Sequence, residues 1–474
     1  MNDFLRHIRL QQRRSFLGNA CRGVGAVALA SLVGQSRASA AQEKWKGVVA
    51  RPHVAPKAKR VIFIVLAGGA SHLELWDNKP ELAKRHGQPF PASITKGQPI
   101  AQLQGAKLTC YAPQWGFKKH GKSGQEMNEL FRHVPEVADD LCIVRSIKTE
   151  AINHDPAHTF MNTGSTVSGR PSMGSWLLYG LGAEADDLPG FVVLTSSRGG
   201  QMQPIASRQW SAGFLPGKFQ GVNLRGQGDP VLYLTSPPGV GKDQQKDVID
   251  AIAKLDQMEN AVVDDPEIAT RISQYEMAFK MQTSVPALMD LKGEPAKILD
   301  MYGTKGADGS FAANCLLARR LAQRGVRFIQ LYNRDWDHHG GIKAGIKDKI
   351  QEIDQPFAAL IKDLKRLGMF EDTLVVLTGE FGRTPMSQGG NGRDHHMKGF
   401  SVVLAGGGIR GGISHGATDE FGYNAAENIF PVHDLHATML HLLGIDHERL
   451  TVRFQGRDYR LTDVHGHVVK EILV

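Results

Sequence analysis

Short runs of apolar and β-branched residues recur along this chain and limit its fold more than any other feature. Three clear examples are Val61–Leu66, Val326–Tyr332 and Leu374–Leu377. Apolar runs without polar alternation are typical of strands buried on both faces. Amphipathic helical patterns at about 311–324 and 342–368 separate the later runs. This alternation predicts an α/β fold built on a mostly parallel sheet.

The first forty residues have the pattern of an export signal. Arg13 and Arg14 precede Ser-Phe-Leu, an apolar run follows at 23–34, and Ala38-Ser39-Ala40 offers a cleavage site. The arginine pair resembles a twin-arginine signal, so we expect the twin-arginine export machinery as a partner and a periplasmic or extracellular location. An ordinary secretory signal with a chance arginine pair is the alternative. The apolar run is short for a bilayer span, so we expect no stable membrane anchor.

The formal net charge of +8 is concentrated in that signal. Residues 1–40 hold six arginines against one aspartate, which leaves +3 for the rest of the chain. A chain with so small an excess of positive charge gives no electrostatic case for nucleic-acid binding. After a polar leader at 41–58, we expect one domain at 59–474, with insertions around 82–130 and 196–300. The sequence leaves the oligomeric state and the pairing of the remaining three cysteines open.

Side chains able to bind a metal follow four of the predicted strands. They are His72 and Asp77; His154 and His158; Asp337, His338 and His339; and Glu380 with His395 and His396. Parallel strands end on the same edge of a sheet, where ligands of open α/β sheets bind, so we expect these groups to converge. A mixed Asp, Glu and His set suits Zn, Mn or Fe, with Mg or Ca as the second choice.

Spacing within these groups predicts which side chains point together. In an extended segment, residues two apart share a side, so Asp337 and His339 should point with Asp335, and His338 away. Because a tight turn can break this rule, His338 and His339 both remain candidates. By the same rule one of His395 and His396 is expected to ligate, while the other binds substrate or supports a ligand.

Three residues at the same edge are candidates for catalysis. His154 and His158 are four residues apart and would share one face of a helix. Arg383 follows Glu380 closely and could clamp an anionic oxygen, although a surface salt bridge is an equally good explanation. We therefore treat His154, His158 and Arg383 as catalytic candidates.

Several motifs together resemble the DUF1501 family. They are Gly-Gly-Ala-Ser-His-Leu-Glu-Leu-Trp-Asp at 68–77, Asn-His-Asp at 153–155 with Asn-Thr-Gly at 162–164, Trp-Asp-His-His-Gly at 336–340, and Gly-Glu-Phe-Gly-Arg-Thr-Pro at 379–385 with Gly-Arg-Asp-His-His at 392–396. Members are exported bacterial proteins described as sulfatase-like, in the alkaline phosphatase-like superfamily. The resemblance spans nearly the whole mature chain. It implies an α/β/α sandwich with one or two divalent metal ions at the carboxyl edge of the sheet.

The chain departs from the sulfatase pattern at the nucleophile. Sulfatases have a Cys or Ser shortly before a Thr-Gly pair; here Thr163-Gly164 is present, but His154 occupies the nucleophile position. No Cys-x-Pro-x-Arg motif occurs, which disfavours a formylglycine enzyme. We expect a hydrolase of sulfate or phosphate esters, with a small-molecule or glycan substrate, that uses metal-activated water and a histidine acid. The alternative is a catalytically degenerate protein that binds an acidic or sulfated glycan or a protein partner.

Overall fold

The computed structural model describes residues 45–197, 200, 204–228, 230, 246–247, 251 and 266–474. The expected export signal lies outside these residues, as does much of the expected insertion at 196–300. The chain divides into two compact units, Met1–Trp45 with Thr235–Glu276, and Lys46–Leu234 with Met277–Val474. The sheet and the site described below belong to the second unit.

The described residues form the following elements. The strands are β1 (Arg60–Leu66), β2 (Phe117–His120), β3 (Gln125–Asn128), β4 (Leu141–Lys148), β5 (Phe191–Thr195), β6 (Val222–Leu224), β7 (Phe328–Asn333), β8 (Thr373–Thr378), β9 (Gly382–Gln388), β10 (Gly392–His396), β11 (Phe400–Ala405), β12 (Ile413–His415), β13 (Ala417–Thr418), β14 (Ala425–Glu427), β15 (Phe430–Pro431), β16 (Val452–Phe454) and β17 (Arg457–Tyr459). The α-helices are α1 (His72–Leu75), α2 (Pro80–Lys84), α3 (Ala92–Thr95), α4 (His154–Thr163), α5 (Met173–Leu181), α6 (Pro266–Met289), α7 (Ala296–Tyr302), α8 (Phe311–Gln323), α9 (Ile342–Arg366) and α10 (Val432–Leu442). Short 3₁₀ helices lie at Val134–Asp140, Ser207–Trp210, Gly217–Phe219, Leu291–Gly293, Phe370–Asp372 and Lys470–Ile472.

A mixed, mostly parallel sheet organises these elements and confirms the predicted α/β class. Over the described residues it has nine strands, in the order β12-β4-β11-β8-β1-β7-β5-β6, with β15 added beside β4. β11 runs antiparallel to both β4 and β8, whereas the other neighbours in the sheet are parallel. As a result β1, β4, β7 and β8 all end on one edge.

Helices cover both faces of this sheet because its central strands are apolar on both. In β1, Ile62, Ile64 and Leu66 join the core under α8 and α9. Val61, Phe63 and Val65 join a second core that includes residues of α4, α5 and α10. Each such buried side chain contributes roughly 1.5–3 kcal/mol through apolar area removed from water. The two cores fix the sheet and therefore the loops at its edge.

The expected insertion at 82–130 is ordered into α3, part of α2 and the β2–β3 hairpin, which lies outside the main sheet. The C-terminal tail pairs β16 with β17 in a separate hairpin. Among the described residues, no helix is both long enough and apolar enough to cross a membrane.

Candidate metal centre

The end of β8 places Glu380 at the centre of the site. This carboxylate is fully buried and accepts the backbone N–H of Gly68 on both oxygens, at 3.0 and 3.2 Å. Gly68 has φ +121°, and a Cβ there would lie 2.6 Å from the backbone nitrogen of Asp337. Only glycine fits this close approach. β1 therefore contributes a backbone donor, and the acid comes from β8.

The end of β4 leads into α4, whose first residue is His154. The prediction that His154 and His158 share a helix face is confirmed, because both rings approach Glu380. Nδ1 of His154 lies 2.6 Å from Oε1 of Glu380, and Nε2 of His158 lies 3.5 Å from the same oxygen. His154 keeps some solvent exposure, whereas His158 is fully buried.

The loop after β7 brings in Asp337 and His339, whose Nε2 lies 2.9 Å from Oδ1 of Asp337. His338 is directed elsewhere, against the backbone of Gly345 in α9, as the spacing predicted. Asp335 does not join them, because it takes up φ +68° and its carboxylate accepts the N–H of Gly200. The positive φ breaks the extended geometry on which the alternation rule depends.

The β9–β10 hairpin supplies His395. Its Nε2 lies 3.0 Å from Nε2 of His339 and 3.4 Å from Oδ1 of Asp337. His396 faces the other side of β10 and donates its Nε2–H to the carbonyl of Tyr423. The prediction that the two histidines face opposite ways is confirmed.

Hydrogen bonds on the outer side of two rings determine which nitrogen faces the site. Nδ1 of His395 lies 2.9 Å from the carbonyl oxygen of Ile152, which can only accept, so Nδ1 carries the hydrogen. Nδ1 of His339 lies 2.6 Å from Oε1 of Gln388, whose amide nitrogen donates to Gln102 at 3.0 Å. In both neutral rings Nε2 therefore presents a lone pair. Two lone pairs 3.0 Å apart repel each other unless a proton or a cation lies between them.

These atoms form a donor set suited to a divalent ion. Ligand atoms of His154, Asp337, His339 and His395 all lie within 4.8 Å of one another. Within the part of the chain that the structure describes, Nε2 of His154 is buried without a hydrogen-bond partner, 3.3 Å from Oδ2 of Asp337. Three imidazole nitrogens and a carboxylate, with the outer N–H groups held by other residues, are the usual surroundings of a bound metal. We call these four residues the metal group.

A second set overlaps the first. Ligand atoms of His154, His158 and Glu380 also lie within 4.8 Å of one another. Both sets use His154, so the two are parts of one centre.

Opposite charges in this centre shift its pKa values. Burial opposes ionisation of Asp337, but the neighbouring imidazoles of His154, His339 and His395 and the guanidinium of Arg383 keep the pKa of this carboxyl well below its ordinary value. Burial likewise opposes ionisation of Glu380, but His158 and His154 lower its pKa to about 2. Burial opposes protonation of His154, yet Asp337 and Glu380 raise its pKa to about 9. In the metal-free protein at neutral pH, both carboxylates are therefore negatively charged and His154 is positively charged.

Arg383, expected as an anion clamp, lies fully buried beside Asp337. Its Nε donates to the carbonyl of Gly69 at 2.9 Å, Nη1 donates to the carbonyl of Arg393 at 3.0 Å, and Nη2 pairs with Asp337. These contacts suit a residue that holds Asp337 and the backbone in place, since no part of its side chain reaches solvent.

Of the eleven residues predicted for the site, the structure brings six together: His154, His158, Asp337, His339, Glu380 and His395. Arg383 contacts them, and four predicted ligands lie in other surroundings: His72, Asp77, His338 and His396. His72 lies 2.9 Å from the carbonyl of Gly422, and Asp77 pairs with Lys79 at 3.0 Å. Gln388 was not expected from the sequence, because an exposed-looking glutamine in a Gly-rich loop carries no signal of its role.

A family model described as "Protein of unknown function (DUF1501)" matches residues 58–473. No curated protein matches the sequence. Similar solved structures include the PsFucS1 sulfatase from Pseudoalteromonas sp. (12% identity, TM-score 0.34, covering 83% of this chain and 69% of that one). A phosphonate monoester hydrolase from Silicibacter pomeroyi (11%, 0.33, 81% and 73%) and the lipoteichoic acid synthase LtaP from Listeria monocytogenes (9%, 0.34, 83% and 74%) are others. Since these TM-scores are below 0.5, the fold assignment rests on the sheet topology of this chain.

Proposed function

The chain belongs to the DUF1501 family, and from that premise we propose that it is an exported, metal-dependent hydrolase of sulfate or phosphate esters. The observation that carries the proposal is the convergence of three imidazole Nε2 atoms on Asp337 at the carboxyl edge of the sheet. The substrate class comes from the alkaline phosphatase-like resemblance of the sequence motifs.

The donors favour particular metals. His154, Asp337, His339 and His395 would hold the ion, and three nitrogen ligands suit Zn, Mn or Fe better than Mg or Ca. When bound, such an ion would polarise an ester oxygen and lower the pKa of water at the site.

The chain's own residues orient the metal group. Gln388 holds His339, the carbonyl of Ile152 holds His395, and Arg383 holds Asp337. The ring of Phe381 packs on His154 and His395, at centroid distances of 4.9 and 4.7 Å, and keeps water from that side.

The exposed side of the metal group sets the direction of substrate entry. The side chains of His339 and Asp337 are 28% and 19% exposed, whereas His158 and Glu380 are fully buried. An ester therefore meets His339 and Asp337 first, and His158 does not touch it.

The site also favours direct attack by water. His154 occupies the position where sulfatases carry a nucleophile, and its Nδ1 is bonded to Glu380. The nearby Thr159 hydroxyl donates to the carbonyl of Asp155 in its own helix. We therefore propose hydrolysis without a covalent enzyme intermediate.

The test is turnover of 4-nitrophenyl phosphate and 4-nitrophenyl sulfate by the mature protein, first stripped of metal and then reloaded with Zn²⁺ or Mn²⁺. We expect activity only after reloading and none in Asp337→Asn, while His441→Ala, a histidine outside the centre, behaves as wild type. Stoichiometric metal with no turnover on a broad ester panel would contradict the hydrolase proposal. It would favour the alternative, a catalytically degenerate protein that binds an acidic or sulfated glycan or a protein partner. A histidine in place of the sulfatase nucleophile is consistent with that alternative.

Export is a separate part of the proposal. The twin-arginine pattern at Arg13 and Arg14 motivates it. Cell fractionation should find the wild-type protein in the periplasm and an Arg13→Lys/Arg14→Lys variant in the cytoplasm. Equal export of both would indicate an ordinary secretory signal.

A further inference from the structure

We infer that the centre holds a single metal ion, and that Glu380 is a positioning residue that orients His154 and does not bind a second ion. The inference rests on the metal site of the proposed function, but it is independent of which ester, if any, is hydrolysed.

The first argument is that the two overlapping ligand sets share one imidazole. A neutral imidazole has one lone pair, because its other nitrogen carries the hydrogen. Nδ1 of His154 lies 2.6 Å from Oε1 of Glu380, a hydrogen-bond distance to an acceptor-only carboxylate. Nδ1 therefore carries the hydrogen, and the lone pair on Nε2 belongs to the metal group. His154 cannot serve both sets at once.

The second argument concerns what remains for another ion. Without His154, the second set keeps only Glu380 and His158. The Glu380 oxygens already accept from Gly68 and His154. Both side chains are fully buried, and an ion with two protein ligands needs water to complete its coordination.

The third argument is charge. One dication together with Arg383 faces the carboxylates of Asp337 and Glu380 and leaves one net positive charge, which suits an anionic ester. A second dication would leave three positive charges in a partly buried centre, and unpaired buried charge is strongly unfavourable.

The surroundings of His158 are the one feature that favours a second ion. Among the described residues, neither ring nitrogen of His158 has a hydrogen-bond partner, although it is fully buried. A second ion bound to His158 would provide a partner for one of these nitrogens. The experiment therefore includes a variant at this residue.

The experiment is a Zn²⁺ titration of the metal-free mature protein against a chromophoric chelator, together with the visible spectrum of the Co²⁺ form. We expect one equivalent in wild type, in Glu380→Gln and in His158→Phe. Glu380→Gln should bind about 10- to 100-fold more weakly, because loss of an orienting partner typically has that effect, and its Co²⁺ bands should shift. His158→Phe should keep the wild-type affinity.

Glu74→Gln is the matched control. Glu74 is another fully buried carboxylate, paired with Arg393 at 2.8 Å, so its loss reports general damage to the fold. Its Zn²⁺ affinity and Co²⁺ spectrum should match wild type, and thermal melting checks that each variant is folded.

Two equivalents in wild type, falling to one in Glu380→Gln or His158→Phe, would overturn the inference while leaving a metal hydrolase possible. One equivalent that behaves as expected, without ester turnover, would overturn the proposed activity and leave the inference standing. No metal binding to any form would reject both.

Discussion

Two pairs of histidines at the same sheet edge, all four predicted as ligands, have opposite surroundings. His339 and His395 bond outward through Nδ1 and turn their Nε2 atoms toward each other and Asp337. His72 and His396 instead direct Nε2 to the carbonyls of Gly422 and Tyr423. The first pair has lone pairs free for a metal, and the second fastens the loop between β13 and β14. The direction of the ring nitrogens, more than the presence of histidine, distinguishes a ligand from a structural residue.

The largest effect is expected from Asp337→Ala, which disrupts the metal group. It removes the carboxylate proposed as a metal ligand and leaves the buried Arg383 without its ionic partner. Removing one partner of a buried pair typically costs about 3–5 kcal/mol. Chemical denaturation of the metal-free variant should show a loss of this size, and metal binding should be absent. A variant as stable as wild type would show that Arg383 does not depend on Asp337.

The double variant His72→Ala/His396→Ala tests the pair of histidines that hold the loop between β13 and β14. Each substitution leaves a carbonyl of the loop without its donor, for which about 1–3 kcal/mol each is the usual penalty. Denaturation should report this destabilisation, while metal content stays at the wild-type value. Loss of metal in this variant would place at least one of the two histidines among the ligands.

His154 in the metal group and the pair of His72 and His396 should respond oppositely to pH in the metal-free protein. The pKa of His154 is raised to about 9, so its stabilisation is complete below pH 6.5 and is lost as pH rises toward 9. Burial lowers the pKa of His72 to about 3 and that of His396 to about 4. Their stabilisation is complete above pH 6.5 and is lost as pH falls toward 4.

Unfolding free energies measured across pH 4–10 would check this contrast. Each group should change the slope by at most about 1.4 kcal/mol per pH unit. His154→Gln should remove the alkaline loss and leave the acid loss unchanged. An unchanged alkaline limb in that variant would contradict the assignment to His154.

The smallest effect is expected from Gln388→Ala, which removes the hydrogen-bond partner of Nδ1 of His339. Metal affinity should fall about 10-fold, at the weak end of outer-partner effects. Gln102→Ala, one hydrogen bond further out, is the matched control and should change affinity less. Equal affinities for all three proteins would show that Gln388 does not orient the ring.

Residue patterns predicted the sheet and part of the site because these depend on local periodicity. The three apolar runs named from the sequence form β1, β7 and β8, and the spacing of His154 and His158 gave a shared helix face. The alternation at 395–396 correctly separated the two rings. That β11 runs antiparallel does not follow from its sequence, because an apolar strand has the same pattern in either direction.

The remaining features depend on contacts between distant segments. Glu380 accepts from Gly68, which lies 312 residues earlier in the chain. The loop carbonyls that engage His72 and His396 come from residues with no motif of their own. The sequence suggested that Arg383 is an exposed anion clamp, whereas in the fold it is buried and donates to the carbonyls of Gly69 and Arg393. These outcomes follow from tertiary packing, which a single sequence does not contain.

The most direct test is native mass spectrometry of the Zn²⁺-reconstituted mature protein beside two double variants. One zinc ion should be present in wild type and in His72→Ala/His396→Ala, and none in His339→Ala/His395→Ala. Zinc retained by the His339/His395 variant, or lost from the His72/His396 variant, would contradict the assignment of the metal group.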